Sequence, residues 1–530
     1  MHRDVETQHR GWLDERLDLS AFMRKYGRKV FPVHATFFLG EMALFSFIIL
    51  VLTGVYLALI YTPSNAEVTV NGKTLPEAYA SVSLIESIPV ANLFRNVHHW
   101  AAHVMIAAIL LHLLRIYFTG TYRKPREVNW IVGVVLLGLT LMAGFVGYAL
   151  PYDAFAVTAT GIGYSIARSI PWVGNIAADL FFGGAYPTLG SVPRLYTIHV
   201  FIVPALITLV VAVHLTIIVK QKHTQPGYAK PIAEPNKVLG VPAWPYQALL
   251  AGQLLLLMFG ILFLLAAVVP PHPLADFGPP GPTTPVVKPD WYLLWIYGFL
   301  KIIPPQATFH LFGATFEPDF IGGLVFPGVI FLILVLAPWI DWTNRHALRR
   351  FEYLQPPRQA PIRLAAGLAM LAFLGSLFVA AYYTSLGFSL AEIWAFVIIV
   401  PAAVAVAALL FAYRTLPPPS ERFNPTTAGN ISRESDQPSA ISDQLPEDVQ
   451  PATIGASSLS PRGEETRASL VVALHEFGDL ADAVEHRQGS ELLATLTHLD
   501  RLRLQMRQSN EELERMLRES DGADDEGVRG

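Results

Sequence analysis

The sequence predicts an all-α polytopic membrane protein. Eight transmembrane helices, four of them forming a bundle, are followed by a soluble C-terminal tail. Three observations predict this. Apolar residues make up 52% of the 530, only 15% are charged, and mean hydropathy is +0.41. Apolar runs near twenty residues recur along most of the chain, each long enough to cross a hydrocarbon core of ~30 Å. Histidines, which are costly inside a membrane, recur as pairs within two of those runs, His98 with His112 and His199 with His214. A net charge of −4 gives no reason to expect a nucleic-acid partner.

The expected spans are 33–61, 98–119, 129–150, 196–220, 244–269, 318–340, 362–384 and 389–413. The first run starts near Val33, behind a charged segment at 1–32, and lacks the short form of a signal peptide. Basic residues mark alternate ends: Arg24, Lys25, Arg28 and Lys29 before the first span, Arg123, Lys124 and Arg126 after the second, Lys220 and Lys222 after the fourth, Arg345, Arg349 and Arg350 after the sixth. The positive-inside rule puts these segments, and both termini, in the cytoplasm. The segments 62–97, 151–195 and 270–317 then lie outside; they are rich in Pro, Gly and aromatics, suited to packing on the membrane or on partner subunits. After Leu416 the character changes. Residues 417–467 read as a disordered linker. Residues 468–530 read as a helical tail, where Leu492, Leu496, Leu499, Met506, Leu513 and Leu517 can share one stripe. That tail suits a soluble hairpin or coiled-coil contact.

The histidine spacing carries the chemistry. At about 100° per residue, fourteen or fifteen residues return to nearly the same helix face and advance ~21 Å. Two such helices side by side offer two His–His pairs at two depths, as needed to hold two haems across a membrane. Cysteine is absent, so this chain alone builds no disulfide, iron–sulfur cluster or thioether-linked haem. Haem must be held non-covalently. Gly40 and Gly54 on the first span, and Gly133 and Gly147 on the third, repeat the fourteen-residue interval, as if each glycine faced one haem level. Close helix packing by glycine is the simpler alternative. Arg95 and Arg115 stand three residues outside His98 and His112, where a haem propionate needs a cation; interfacial snorkelling is the other reading. His99 and His103 stand four apart and would also suit a metal. Only His98 has the fourteen-residue partner, which leaves His103 as a helix-packing histidine.

The segment KPDWYLLWIYGFLKIIPP supplies an acid, Asp290, between Pro289 and Trp291, with Tyr292 next. Quinol oxidation releases two protons and two electrons, and an acid near the membrane surface can take one of the protons. Plain helix capping by Asp290 is the alternative.

These residues resemble the cytochrome b family of quinol–cytochrome c reductases over about residues 30–415. The resemblance rests on the histidine and glycine pairs, GYALPYD at 147–153 and PDWY at 289–292. The family more often has Glu where Asp290 stands, one methylene longer. VFPVHATFFLGE, RKPREVNW, FFGG with a later PRLY, and QKHTQ look most like the actinobacterial form. The resemblance implies a dihaem four-helix N-terminal domain at 33–225 and a C-terminal domain at 226–416. It implies an outer haem b on His98 and His199, of low potential, and an inner one on His112 and His214, of high potential. It further implies a Q cycle: menaquinol oxidised outside near Asp290, Tyr292 and Tyr148, and quinone reduced inside. The inner site is expected near Lys222 and His223, with His34 as a wall residue. A Rieske iron–sulfur protein and a dihaem cytochrome c, often joined to a haem–copper oxidase, are the implied partners, in a homodimeric complex in the bacterial plasma membrane. The rival readings are a haem-bearing membrane anchor of a dehydrogenase, and a proton-coupled transporter with buried histidines and no haem.

Overall fold

The computed structural model describes residues 12–23, 27–184, 186–226, 238–281, 288–341, 344 and 353–416. The expected linker at 417–467, the helical tail at 468–530, and Arg24, Lys25, Arg345, Arg349 and Arg350 lie outside these residues.

Among the described residues, eight helices are long and apolar enough to cross a membrane, and this is a multi-pass membrane protein. They are α1 (Ala35–Ala58), α3 (Pro89–Phe118), α4 (Glu127–Tyr148), α7 (Ser191–Gln221), α8 (Ala243–Val268), α10 (Pro318–Ile340), α11 (Pro361–Ala380) and α12 (Leu390–Arg414). Shorter helices fill the segments between them: α2 (Glu77–Ser87), α5 (Ala154–Arg168), α6 (Gly174–Phe182) and α9 (Leu294–Ile302). The second span begins nine residues before His98, where the apolar run suggested a start. Pro89 sits in the first turn, where its missing N–H costs nothing. Ile88 before it is extended, as the proline ring demands.

α1 packs along α3 and α4 along α7, and α3 meets α4, closing a four-helix bundle. α8 lies outside α1 and α3 on a core of Ile49, Val97, Ala101, Leu262 and Ala266. α9, α10, α11 and α12 share a second core, centred on Trp295, Ile302, Phe326, Leu377 and Ile393. Gly298 lets α9 touch α11 backbone to backbone, for a Cβ there would sit 1.9 Å from the Leu377 carbonyl oxygen.

The bundle has two distinct ends. At the end where α3 begins and α4 stops, α2, α5, α6 and a hairpin of β2 (Glu67–Val70) and β3 (Lys73–Pro76) cover the helices. The hairpin turns at Asn71–Gly72, both at positive φ (53° and 76°), the pairing that a two-residue turn needs. At the opposite end, β1 (Val30–Phe31) pairs antiparallel with β4 (Val241–Pro242). There a buried pair, Arg363 to Asp341 at 3.0 Å, also accepts the Tyr122 hydroxyl at 2.7 Å. It ties the α3–α4 turn to the foot of α11.

Candidate haem and quinol sites

At the first end, His98 from α3 and His199 from α7 face each other with ring centroids 6.2 Å apart. Two imidazole nitrogens each about 2 Å from a shared ion, plus roughly one more ångström back to each ring centre, give about the same separation. Hydrogen bonds fix which nitrogen faces the gap. The Thr53 hydroxyl spends its proton on the Ile49 carbonyl (2.7 Å), so at 2.9 Å it accepts from His98 Nδ1–H. His199 Nδ1–H donates to the Ala143 carbonyl at 3.1 Å. Both rings thus carry their proton on Nδ1 and keep an Nε2 lone pair, the state that a metal ligand needs.

A helical repeat of the arrangement lies ~21 Å further along. Here His112 from α3 and His214 from α7 are half-buried with buried Nδ1 atoms, and His214 Nδ1 looks towards the Asn129 backbone without reaching hydrogen-bond geometry. His112 Nδ1 has no partner among the described residues, because Leu39 stands where Thr53 stands one level away.

The four glycines match the four histidines one to one. A Cβ on Gly54 would lie 3.3 Å from His98, on Gly147 2.7 Å from His199, on Gly40 3.2 Å from His112 and on Gly133 3.7 Å from His214. Gly40, Gly54 and Gly147 therefore let an imidazole lie closer to helix backbone than a side chain allows, whereas Gly133 leaves ordinary contact distance. The fifteen-residue interval on α7 also has a cause. Ile198–Ile202 forms a π turn, with Val203 N–H bonded back to the Ile198 carbonyl. A π turn absorbs one extra residue, so both histidines of α7 still face the same side. Among the described residues, no three His, Asp or Glu converge on one point. Each level offers two imidazoles, which would hold the iron of one haem. The donor set and the side-chain-free cradles fit haem b.

Beside the His98 level lies the PDWY turn. The Tyr292 hydroxyl donates to Asp290 Oδ2 at 3.2 Å. Asp290 does not cap α9 with its side chain; its backbone carbonyl accepts from Leu293 N–H at 2.9 Å, and the helix starts at Leu294. Burial raises the Tyr292 hydroxyl above the usual phenol range, and the Asp290 charge and Tyr148 push the same way. Tyr292 thus stays a donor. Tyr148, at the end of α4, is within electrostatic reach of Asp290, edge-on to Phe145 (5.5 Å) and tilted against Phe155 (5.9 Å).

Residues 103–279 match the family Cytochrome b(N-terminal)/b6/petB, and residues 279–396 match Cytochrome b(C-terminal)/b6/petD. The cytochrome bc1 complex cytochrome b subunit of Streptomyces coelicolor is 36% identical over 371 residues, covering 68% of this chain and 67% of that protein. The subunit of the same name from Mycobacterium tuberculosis is 36% identical over 377 residues, with the same coverage. This chain belongs to the cytochrome b family. A solved chain of a hyperthermophilic respiratory Complex III has the same fold: TM-score 0.56 at 23% identity, over 76% of this chain and 98% of that one. This cytochrome b is accordingly a membrane electron-transport protein of the respiratory chain, of a haem-binding family and the oxidoreductase class.

The remaining predicted residues of this cytochrome b fall into two groups. Arg95, near His98, is engaged by Glu86 at 3.3 Å. Arg115, near His112, lies 4.3 Å over the Phe37 ring, and its buried Nε has no partner among the described residues. His34 and His223 gather at that same end. His34 caps the first turn of α1 through Thr36, and burial and the Arg115 charge lower its pKa. His223 meets Phe31 edge-on at 5.0 Å; burial first, then Lys29, Arg126 and Arg115, push it down to about 4. Lys222 is exposed at positive φ (62°), with its carbonyl accepting from Arg126 at 3.4 Å.

Sequence reasoning missed several residues here. Gly144 makes room for Tyr292, whose hydroxyl would be 2.9 Å from a Cβ. Thr53 orients His98. His103, expected only to pack, accepts from Trp291 Nε1–H at 2.9 Å. Glu41 accepts from Gln247 at 2.8 Å, while its other buried oxygen has no partner among the described residues. Nothing in the linear spacing signals these, since each acts on a residue from a distant element.

Proposed function

We propose that this chain is the dihaem cytochrome b subunit of a respiratory bc complex, oxidising menaquinol at the Asp290 end and reducing quinone at the His223 end in a Q cycle. The observation that carries the reading is the one-to-one packing of four glycines on four histidines at two depths. His98 with His199, and His112 with His214, would each hold one non-covalent haem b. Bound there, haem would supply reversible one-electron transfer across the membrane. Arg115, with no ion-pair partner among the described residues, would meet a propionate at the His112 level; Arg95, shared with Glu86, would serve the other level.

At the Asp290 end, a quinol losing two electrons and two protons needs a base. Asp290 would take one proton from a quinol hydroxyl, and Tyr292 holds its carboxylate in place by hydrogen bonding. Tyr148, Phe145 and Phe155 line a dry approach from α4 and α5. The electrons leave to a Rieske iron–sulfur protein and cytochrome c, and across the membrane. Because this chain has no cysteine, both carriers are separate subunits. At the His223 end, the neutral ring of His223 with His34, Lys222 and neighbouring cations would hydrogen-bond a quinone carbonyl and hold it in place. The basic segments of 28–29, 123–126 and 220–222 collect at this end, which supports a cytoplasmic location for it. The Asp290 end then faces outward. Association with a haem–copper oxidase and a homodimeric complex complete the reading.

The test is a reduced-minus-oxidised optical spectrum of the purified complex. Two b-type haems are expected, and His199→Ala and His214→Ala should each remove a different one. Asp290→Asn should slow quinol oxidation with both haems retained. A single b haem, or both lost equally in each variant, would overturn the two-level assignment.

A further inference from the structure

Trp291 stands between the two polar residues of the quinol turn, and an unusual acceptor holds its indole. Its Nε1–H donates to His103 Nδ1 on α3 at 2.9 Å. Four other tryptophans donate to backbone carbonyls instead: Trp100 to Val269, Trp130 to Leu334, Trp295 to Tyr292 and Trp394 to Ile302. A carbonyl accepts at any pH. An imidazole nitrogen accepts only without its proton, and an indole can only donate. His103 is therefore held as the neutral Nε2–H tautomer, and a proton on Nδ1 would set two N–H groups against each other.

The titratable groups facing His103 are few. On its own helix, the His99 ring lies one turn away at 4.5 Å between centroids. From the turn, the Asp290 charge reaches it and the Tyr292 ring stands edge-on at 6.1 Å. Arg95 and His272 lie one step further, around His99. Protonation of His103 is thus coupled to the group that would receive a quinol proton.

We propose that His103 is the positioning residue of the quinol turn: neutral, it fixes Trp291 and with it the Asp290 carboxylate and Tyr292 hydroxyl, and on taking up a proton it releases them. The proposal rests on the reading of the Asp290 end as a quinol site. It gives the site a latch that acid opens.

The test uses the intact complex with His103→Leu, His103→Gln, Trp291→Phe and the Leu/Phe double variant, assayed from about pH 5 to 8, where an ordinary imidazole titrates. His103→Leu should raise the quinol KM about three- to tenfold at neutral pH, the usual worth of one neutral hydrogen bond. Trp291→Phe should match it, and the double variant should be no worse than either single, since both cut the same bond. The amide oxygen of His103→Gln accepts an indole N–H without titrating. That variant should keep the low KM and lose the rise in KM that the native complex shows in acid. A native KM in His103→Leu, or an unchanged acid rise in His103→Gln, overturns the proposal. Amide hydrogen exchange across residues 288–294 decides the latch without turnover. Faster exchange in His103→Leu at a fixed pH, and lower protection in the native complex at acid pH once the intrinsic slowing of exchange in acid is divided out, support it even if the complex oxidises no quinol; unchanged protection refutes it.

Discussion

Gly147 and Gly133 occupy equivalent positions on α4, yet they differ in how much room they leave. A methyl group at Gly147 would stand 2.7 Å from His199 Cε1, whereas at Gly133 it would stand 3.7 Å from His214, an ordinary contact. Gly147→Ala should therefore push His199 off its axis and remove or distort one of two b-haem spectra, while Gly133→Ala leaves both intact. Equal spectra in the two variants would count against the cradle geometry. His223 gives a pH prediction. The ring is held neutral to about 4 in the fold, against an ordinary value of 6.5. Below 6.5 the unfolded chain takes up a proton that the folded chain refuses, so stability is full above 6.5 and is lost as pH falls towards 4. Thermal unfolding in detergent should show the native protein losing more on acidification from pH 7 to 5 than His223→Gln does; equal losses would show that the ring admits the proton. At this scale the sequence was partly legible. The fourteen-residue intervals predicted depth, because rise per residue is a constant of the helix. The tautomers set by Thr53 and Ala143, and the Trp291 bond to His103, were not legible, because each needs an acceptor from another element.

Whole helices were read well where they cross the membrane and poorly where they lie between spans. Eight apolar runs correspond to eight spans, since hydropathy over twenty residues is the only requirement for crossing. α2, α5, α6 and α9 were invisible because each is short and flanked by Pro and Gly, so no window isolates its stripe. The π turn at Ile198–Ile202 was equally hidden, although it explains why α7 spaces its histidines by fifteen. α9 carries the clearest prediction at this scale. A Cβ at Gly298 would meet the Leu377 carbonyl oxygen at 1.9 Å, and a backbone atom cannot move aside as a flexible side chain can. Gly298→Ala should shift α9 away from α11 and take the adjoining PDWY turn with it. The expected outcome is loss of quinol oxidation with both b haems still present by difference spectroscopy. Full turnover in that variant would mean that the α9–α11 contact does not set the turn.

Across the described molecule, the four-helix bundle and the C-terminal helices are joined at the basic end by buried polar groups. Arg363 and Asp341 are 4% and 8% exposed; Tyr122 donates to Asp341, and Gln355 accepts from Arg363. Removing one partner of a buried pair costs about 3–5 kcal/mol, through the attraction and hydrogen bonds it takes away. Arg363→Met should lower thermal stability in detergent by that order, and Arg363→Met with Asp341→Leu should recover part of it; a native melting curve for Arg363→Met would show that the pair is dispensable. By itself the sequence determined the class, the number of spans and the helical interval between the paired histidines, because hydropathy and helix rise are local properties of a chain. Which faces meet was decided only by the tertiary structure. Lipid is as apolar as the protein interior, so a spanning helix carries no polar stripe to mark its outer face: Ile49 is buried while Leu52 and Val55, about one and two turns on, are exposed. Only packing could put glycine against imidazole, and Trp291 against His103.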